Sequence, residues 1–415
     1  MRALRREHAV DTGRIGRRIA YWRDRRGLTQ PDFGRLMGQT KRWVQDLEGG
    51  KRQQDPRLSV LVRAAEVLRI PPEQLLSDAP PEPAAGSQPP AGALRLADAL
   101  YRRASQDDVD PLPLGRLRGQ LVYCCEAFQA CHYEAIARDL PGLILGAERA
   151  AHAAPADRTC EASALVSRVY QLGTSYLHKY GQSTAVSAAL AADRALSAAE
   201  RSGDPVQIGA ASRRIAKSLV YQHRPEAAVD FATGAARRLS ADLSSQGPLG
   251  LSTLGMLYPS AALAASSQER TPDRMRAASG FIGEAGEVAQ RQGGDLDEDW
   301  TMFGPTNVVL HRVDTLTRFE DGWSALEAAA GLPPEAIGGL SRERTAGLHV
   351  SKARASLLTR RREQAATELL AAAALAPEEL EGRPDTVHLV EDVLRATPQP
   401  NSQLRALAAR CGLRA

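Results

Sequence analysis

The sequence predicts an all-α protein: a small five-helix domain followed by a long helical-hairpin solenoid. Three observations carry this. From Leu94 onward the apolar residues recur with a period of about 3.6, and no stretch alternates as a half-buried strand does. Aromatic residues make up only 5% of the chain while alanine is abundant, and small side chains let stacked helices approach closely. A chain of 415 residues is also too long for one core, and residues 79–93, APPEPAAGSQPPAGA, form a Pro/Ala/Gly stretch that cannot hold regular structure. The expected organisation is a basic arm at 1–13, a compact domain at 14–78, a linker at 79–93 and a repeat domain at 94–415.

The compact domain opens with a helix over about Ile15–Arg26, where Ile15, Ile19 and Trp22 share a face ringed by Arg14, Arg17, Arg18, Arg25 and Arg26. Leu28 to Lys51 then reads LTQPDFGRLMGQTKRWVQDLEGGK. Thr29 can cap a helix with Asp32 as its capping-box partner, and Pro31 is tolerated in a first turn, whose amides lack intrahelical acceptors. Phe33, Leu36 and Met37 give the apolar face. Gly38 ends that helix and Thr40 caps the next. The second helix turns Val44 and Leu47 inward and Lys41, Arg42, Gln45 and Asp46 outward, and stops at Gly49-Gly50. Two helices joined by so short a turn, the second with long polar side chains in its first turn, describe a helix-turn-helix. The segment LSVLVRAAEVLRIPPEQLLSD supplies two further helices.

This stretch closely resembles the phage-repressor and Cro type (xenobiotic-response-element type) of helix-turn-helix, whose usual run is LTQEELAxxLGVSxxxVSxLExG. Leu28, Thr29, Gln30, Gly38, Thr40, Val44, Leu47, Glu48 and Gly50 fall on it without a gap, and the likeness covers residues 14 to about 78. Phe33 and Gly34 depart from the usual Leu and Ala; the glycine is expected to loosen its helix by roughly 1 kcal/mol. The resemblance implies double-stranded DNA as partner, with Lys41, Arg42 and Gln45 reading bases, and the recognition helix offers Thr40 beside them. Arg or Lys suits guanine, Gln suits adenine, and the Thr methyl suits thymine. It further implies a backbone phosphate contact from Gln30 and a structural pair between Arg23 and Glu48; Arg17, Arg18 and Lys51 are basic residues added to the expected DNA-binding set. Trp43 is expected to pack against the domain or a sugar edge, and Asp46, a departure in charge, to repel phosphate or pair with an arginine.

Charge agrees with that partner. Residues 1–79 hold 17 Arg and Lys against 10 Asp and Glu, leaving 36 against 39 in the rest. A basic small domain on a slightly acidic body supplies the phosphate neutralisation that DNA binding needs. No catalytic motif or metal-ligand spacing occurs, so no enzyme activity and no cofactor are expected. The five cysteines (124, 125, 131, 160 and 411) include no CxxC pair and read as buried, reduced thiols. With no leader peptide and no apolar run of about 20 residues, a soluble cytoplasmic protein is expected.

In the repeat region the clearest unit is RREQAATELLAAAALAPEEL, where Ala365, Leu369, Ala372 and Pro377 have the spacing of helix B in a tetratricopeptide repeat. Weaker versions lie at Ala228, Ala232 and Ala235 and at Ala278, Ile282 and Ala285, and Pro141 is expected to kink its helix. About six to seven hairpins fit, at a spacing of roughly 40 residues. Head, linker and segments such as HYEAIARDLPGLI and FGPTNVVLHRV resemble a large group of actinobacterial transcriptional regulators. The architecture is also similar to that of the peptide-sensing regulators of quorum-sensing bacteria.

Two functions follow as expectations. One is a homodimeric, sequence-specific transcriptional regulator on an inverted repeat, whose repeat domain senses a peptide or small polar ligand. The other is a repeat-based adaptor or scaffold. For a ligand pocket the helix Pro305–Phe319 is the candidate: Val309, Val313 and Leu316 form a packed stripe, and Asn307, His311, Asp314 and Arg318 a polar one. Asn307 is one of only two asparagines and offers both donor and acceptor. Arg213 and Arg214 would suit a carboxylate or phosphate. The plain alternative is that Thr306 or Asn307 caps the helix.

Overall fold

A computed structural model describes residues 15–26, 28–49, 56–70, 72–76, 89–102, 110–268 and 270–413, without the side chains of residues 24, 25, 73 and 74. The expected basic arm, Lys51 and the first ten residues of the expected linker lie outside them. The chain divides into two compact units, residues 1–84 and 85–415.

The first unit contains α1 (Ile15–Arg25), α2 (Gln30–Met37), α3 (Lys41–Glu48), α4 (Leu58–Leu68) and α5 (Glu73–Leu76). Thr29 caps α2 by accepting the Asp32 amide, and Thr40 caps α3 by accepting that of Trp43. Gly38 closes α2 at φ 69°, the left-handed conformation a glycine adopts without penalty. Ile19, Phe33, Val44, Leu47, Leu61, Leu68 and Leu75 make the core, with Trp22 and Trp43 packed against it.

Gly34 corrects a sequence expectation. It is buried where the turn doubles back, and a β-carbon there would stand 2.9 Å from the Gln39 carbonyl oxygen and 3.3 Å from the Thr40 carbonyl. Helix propensity alone makes Gly34→Ala favourable by about 1 kcal/mol, but displacing backbone in a packed turn costs about 1–3 kcal/mol. Gly34→Ala is therefore expected to lower the head's stability, read as faster amide exchange over α2 and α3; slower exchange would show that propensity wins.

The second unit is a helical, solenoid-like array. It runs through α6 (Ala91–Tyr101), α7 (Leu114–Gln129), α8 (Tyr133–His152), α9 (Thr159–Leu177), α10 (Ala185–Ser202), α11 (Pro205–Tyr221), α12 (Pro225–Ser245) and α13 (Gly247–Ala265). It continues through α14 (Pro272–Gln292), α15 (Pro305–Arg318), α16 (Gly322–Ala330), α17 (Pro334–Gly338), α18 (Arg342–Leu358), α19 (Arg362–Leu375), α20 (Pro384–Ala396) and α21 (Ser402–Arg410). Most helices pack on their neighbours in sequence, as in a solenoid. Among the described residues there is no strand, only an isolated bridge between Leu296 and Phe303.

Helix α6 begins inside the stretch expected to be linker, with Pro90 at its N-cap. Proline at a helix start carries no amide penalty, so Ala91, Gly92 and Ala93 join the helix. Pro141 lies within an unbroken α8. Ala365, Leu369 and Ala372 are fully buried, as are Ala228, Ala232, Ala278 and Ala285, so the small-residue stripes are helix contacts. Cys124, Cys125, Cys131 and Cys411 are buried, but Cys160 is exposed, which corrects the expectation of five buried thiols. Burial pushes the thiols of Cys125 and Cys411 up to about 11.

The array also returns on itself. Ala346 and Ala376 share a core with α6 to α9, and Arg342 Nη1 donates to the Ala130 carbonyl at 2.9 Å. There α15, α18 and the start of α20 line a common groove.

Candidate DNA-reading surface and ligand groove

On the head, a buried ion pair fixes the recognition helix. Arg23 Nε reaches Glu48 Oε1 at 2.5 Å, Nη2 reaches Oε2 at 3.0 Å, and Nη1 donates to the Leu28 carbonyl at 2.8 Å. The two side chains are 9% and 7% exposed. One salt bridge thus ties α1 to the end of α3 and to the start of the turn into α2. Gly16 lets the two helices meet: a β-carbon on it would sit 2.2 Å from the Leu47 carbonyl oxygen. The sequence reading missed Gly16, whose only signal was a glycine inside an otherwise regular helix.

With α3 held at its inner end, Thr40, Lys41, Arg42 and Gln45 stand exposed along its outer side, and Arg17 is exposed on α1. Gln30 is half-buried and donates its amide to Glu48 Oε2 at 2.8 Å. In this structure it completes the Arg23–Glu48 cluster. Arg18 leaves the expected DNA-binding set: it is only 4% exposed, and its Nε donates to the Leu75 carbonyl at 2.7 Å, bracing α1 against α5. A guanidinium committed to the core is not aimed at a phosphate. Trp43 is partly buried against the head's core.

The helix-turn-helix domain family matches residues 14–77. The head is a helix-turn-helix DNA-binding domain. Comparison of the chain with curated proteins gives no match. Among the described residues no helix is long and apolar enough to cross a membrane, and no group of His, Cys, Asp and Glu could hold a metal ion.

In the second unit the expected polar stripe divides. His311, Asp314 and Arg318 line a cavity of about 210 Å³ together with Glu343, Arg344 and Arg383. Asn307 does not line it. It is fully buried, its Nδ2 donating to the Thr301 carbonyl at 3.1 Å, and so it holds the loop before α15. Neither Thr306 nor Asn307 supplies the cap. Gly304 is the N-cap residue, and Asp295 accepts from the Thr306 amide and hydroxyl at 2.9 and 2.6 Å. The other asparagine, Asn401, caps α21.

Arg213 and Arg214 stand on α11. Arg214 is 8% exposed and donates to its own helix at the Ala210 carbonyl, 3.0 Å away. A residue the sequence reading passed over, Lys217, lies one turn beyond Arg213 and is solvent-accessible. A larger cleft of about 550 Å³, also unforeseen, opens beside Arg102, Glu148, Tyr170 and Arg194. There Tyr170 donates to Glu148, and Arg194 Nη1 donates to the Leu100 carbonyl.

Two histidines of the second unit make its stability depend on pH. Burial, then the positive charges of Lys217 and Arg214, push His178 well below its ordinary value; its Nε2 lies 3.0 Å from the Ser218 hydroxyl. Burial, then Arg344, pushes His311 down to about 4. Both are neutral in the fold and gain a proton on unfolding below about pH 6.5. The unfolded chain then binds more protons, so stability falls as pH drops through the window from about 6.5 to about 4. For His311 the full loss is at most about 3 kcal/mol. The expected result is a melting temperature of the second unit that declines from pH 7 to pH 5, more shallowly in His311→Gln. Equal slopes in the two proteins would show that His311 does not contribute.

Proposed function

We propose that the protein is a sequence-specific transcriptional regulator, acting as a homodimer on an inverted-repeat operator, whose repeat unit senses a small polar ligand or peptide. The observation that carries the reading is the exposed row Thr40, Lys41, Arg42 and Gln45 on a helix clamped from behind by the Arg23–Glu48 pair. A helix presented in this way suits the major groove, where arginine and lysine pair with guanine and glutamine with adenine. A single head of this size offers little area for specific affinity, and two heads related by a two-fold axis would set recognition helices about 34 Å apart. The mostly charged groove around His311, Asp314 and Arg318 supports the sensing part, and the buried small-residue stripes of α12, α14 and α19 support a tetratricopeptide-like character.

The test is an electrophoretic shift with genomic fragments across a salt series. Specific shifts that weaken steeply with salt are expected, because released counterions drive phosphate binding; no retained fragment at low salt would sink the proposal. Within that assay Arg42→Ala is expected to cost about 1–3 kcal/mol and to relax preference at one operator position, while Arg17→Ala should weaken all sequences alike. If Arg42→Ala leaves sequence preference unchanged, α3 is not the reading helix.

A further inference from the structure

Around α11 the described residues hold more cations than ion pairs. Several of these cations are answered: Lys179 by Glu343 and Glu379, Arg383 by Glu379, Arg318 by Asp314, and Arg168 by Asp299. Among the described residues no ion pair reaches Arg213, Arg214 or Lys217. Arg213 Nη1 is buried without a hydrogen-bond partner. These three cations share one turn of α11, and positions four apart in a helix lie on one face, so Arg213 and Lys217 stand one above the other. Burial first, and then neighbouring positive charge, disfavours the charged form of Arg213 and Arg214: Arg344 acts on Arg213 and Arg213 on Arg214. Lys217 stands exposed beside them and feels the like charge of Lys179. Asp299 and Glu343 offset part of this charge, and the excess of cations left on this face favours a bound anion.

We propose that this face of α11 binds the phosphate group of a small phosphorylated molecule, bracketed by Arg213 and Lys217, with Arg344 adding its charge. A monocarboxylate, such as a peptide terminus, would neutralise only one charge. A phosphate monoester carries about −1.5 to −2 at neutral pH and offers three acceptor oxygens to the guanidinium and ammonium donors. The cavity of about 210 Å³ that Arg344 lines, together with His311 and Ser351, has room and hydrogen-bonding groups for the rest of a small polar molecule. The inference rests on the sensing reading only for its effect on DNA; anion binding itself is independent of it.

The experiment is thermal unfolding and calorimetry of the full chain at fixed ionic strength, with inorganic phosphate, phenyl phosphate and acetate as probes. Saturating phosphate or phenyl phosphate is expected to raise the melting temperature by roughly 3 °C or more, and acetate to leave it unchanged. Tighter binding of phenyl phosphate by tenfold or more identifies an ester as the ligand; equal affinities identify inorganic phosphate. Lys217→Met should melt no lower than the unsubstituted protein, because it relieves repulsion, and should lose the phosphate response. Arg213→Gln should weaken that response by at least tenfold. No response to either phosphate, an equal response to acetate, or a response retained in both variants overturns the proposal. Phosphate binding with unchanged DNA affinity in the gel shift keeps the anion site and overturns the sensing reading instead.

Discussion

Replacing Glu48 with alanine is expected to unfold the helix-turn-helix head and abolish DNA binding. The carboxylate accepts from Arg23 at two positions and from Gln30, in a site where both charged side chains are almost fully enclosed. Without it Arg23 loses two hydrogen bonds and the opposite charge of this site. Removing one member of a buried ion pair leaves an uncompensated charge and costs about 3–5 kcal/mol. A domain of this size has a net stability of only about 5 kcal/mol, so most or all of it is lost. Amide exchange resolved to peptides should accelerate throughout α1 to α4. The double variant Arg23→Met/Glu48→Met separates charge from packing: replacing a buried pair by apolar side chains is often neutral or stabilising. If Glu48→Ala leaves exchange in α1 unchanged, the pair does not hold the two helices together.

The head was legible because its signals are local. A cap, a glycine and a short apolar spacing each act within a turn of helix, so Thr29, Gly38 and Thr40 could be placed from sequence and stand in the structure as caps. The all-α class followed for the same reason, from the period of the apolar residues. What escaped the sequence depends on long-range approach. Gly34 reads as a weak helix residue, yet the turn passes so near that a β-carbon would collide with backbone. Arg18 reads as one of several surface arginines, yet the last helix of the head returns to accept its proton donor. Asn307 reads as part of a polar stripe, but the stripe is continuous only on an isolated helix; a loop folds over its first member. Lys217 carries no motif, and its significance depends on which charges from distant helices face it. Closure of the array was equally invisible, since it joins residues 200 or more positions apart.

That closure supports the second large effect. Glu379 is 2% exposed and gathers three partners from separate parts of the chain. It accepts from the Tyr133 hydroxyl, at the start of α8; from Lys179 at 3.0 Å, in the 3₁₀ segment after α9; and from Arg383, just before α20. Lys179 meanwhile stands 2.5 Å from Glu343 on α18 and 4.8 Å from the Phe128 ring on α7. Burial pushes the Glu343 carboxyl up, but Lys179 and Arg344 outweigh it and hold it below the ordinary carboxylate range; burial pushes Lys179 down to about 8. Glu379 is thus the acid on which the two ends of the array converge. Glu379→Ala leaves Lys179 and Arg383 short of a counter-charge and the Tyr133 hydroxyl without this acceptor. An expected cost of about 3–5 kcal/mol corresponds to a fall in the second unit's melting temperature of about 4–7 °C. Amide exchange should accelerate first in the segments that meet here, α7 to α8 and α18 to α20, while α12 to α14 keep their protection. Glu379→Gln retains an acceptor for Tyr133 but not the charge, so it should lose less than the alanine variant. Acceleration spread evenly over all helices would mean that Glu379 supports the fold generally, whereas acceleration confined to the meeting segments identifies it as the clasp that closes the groove.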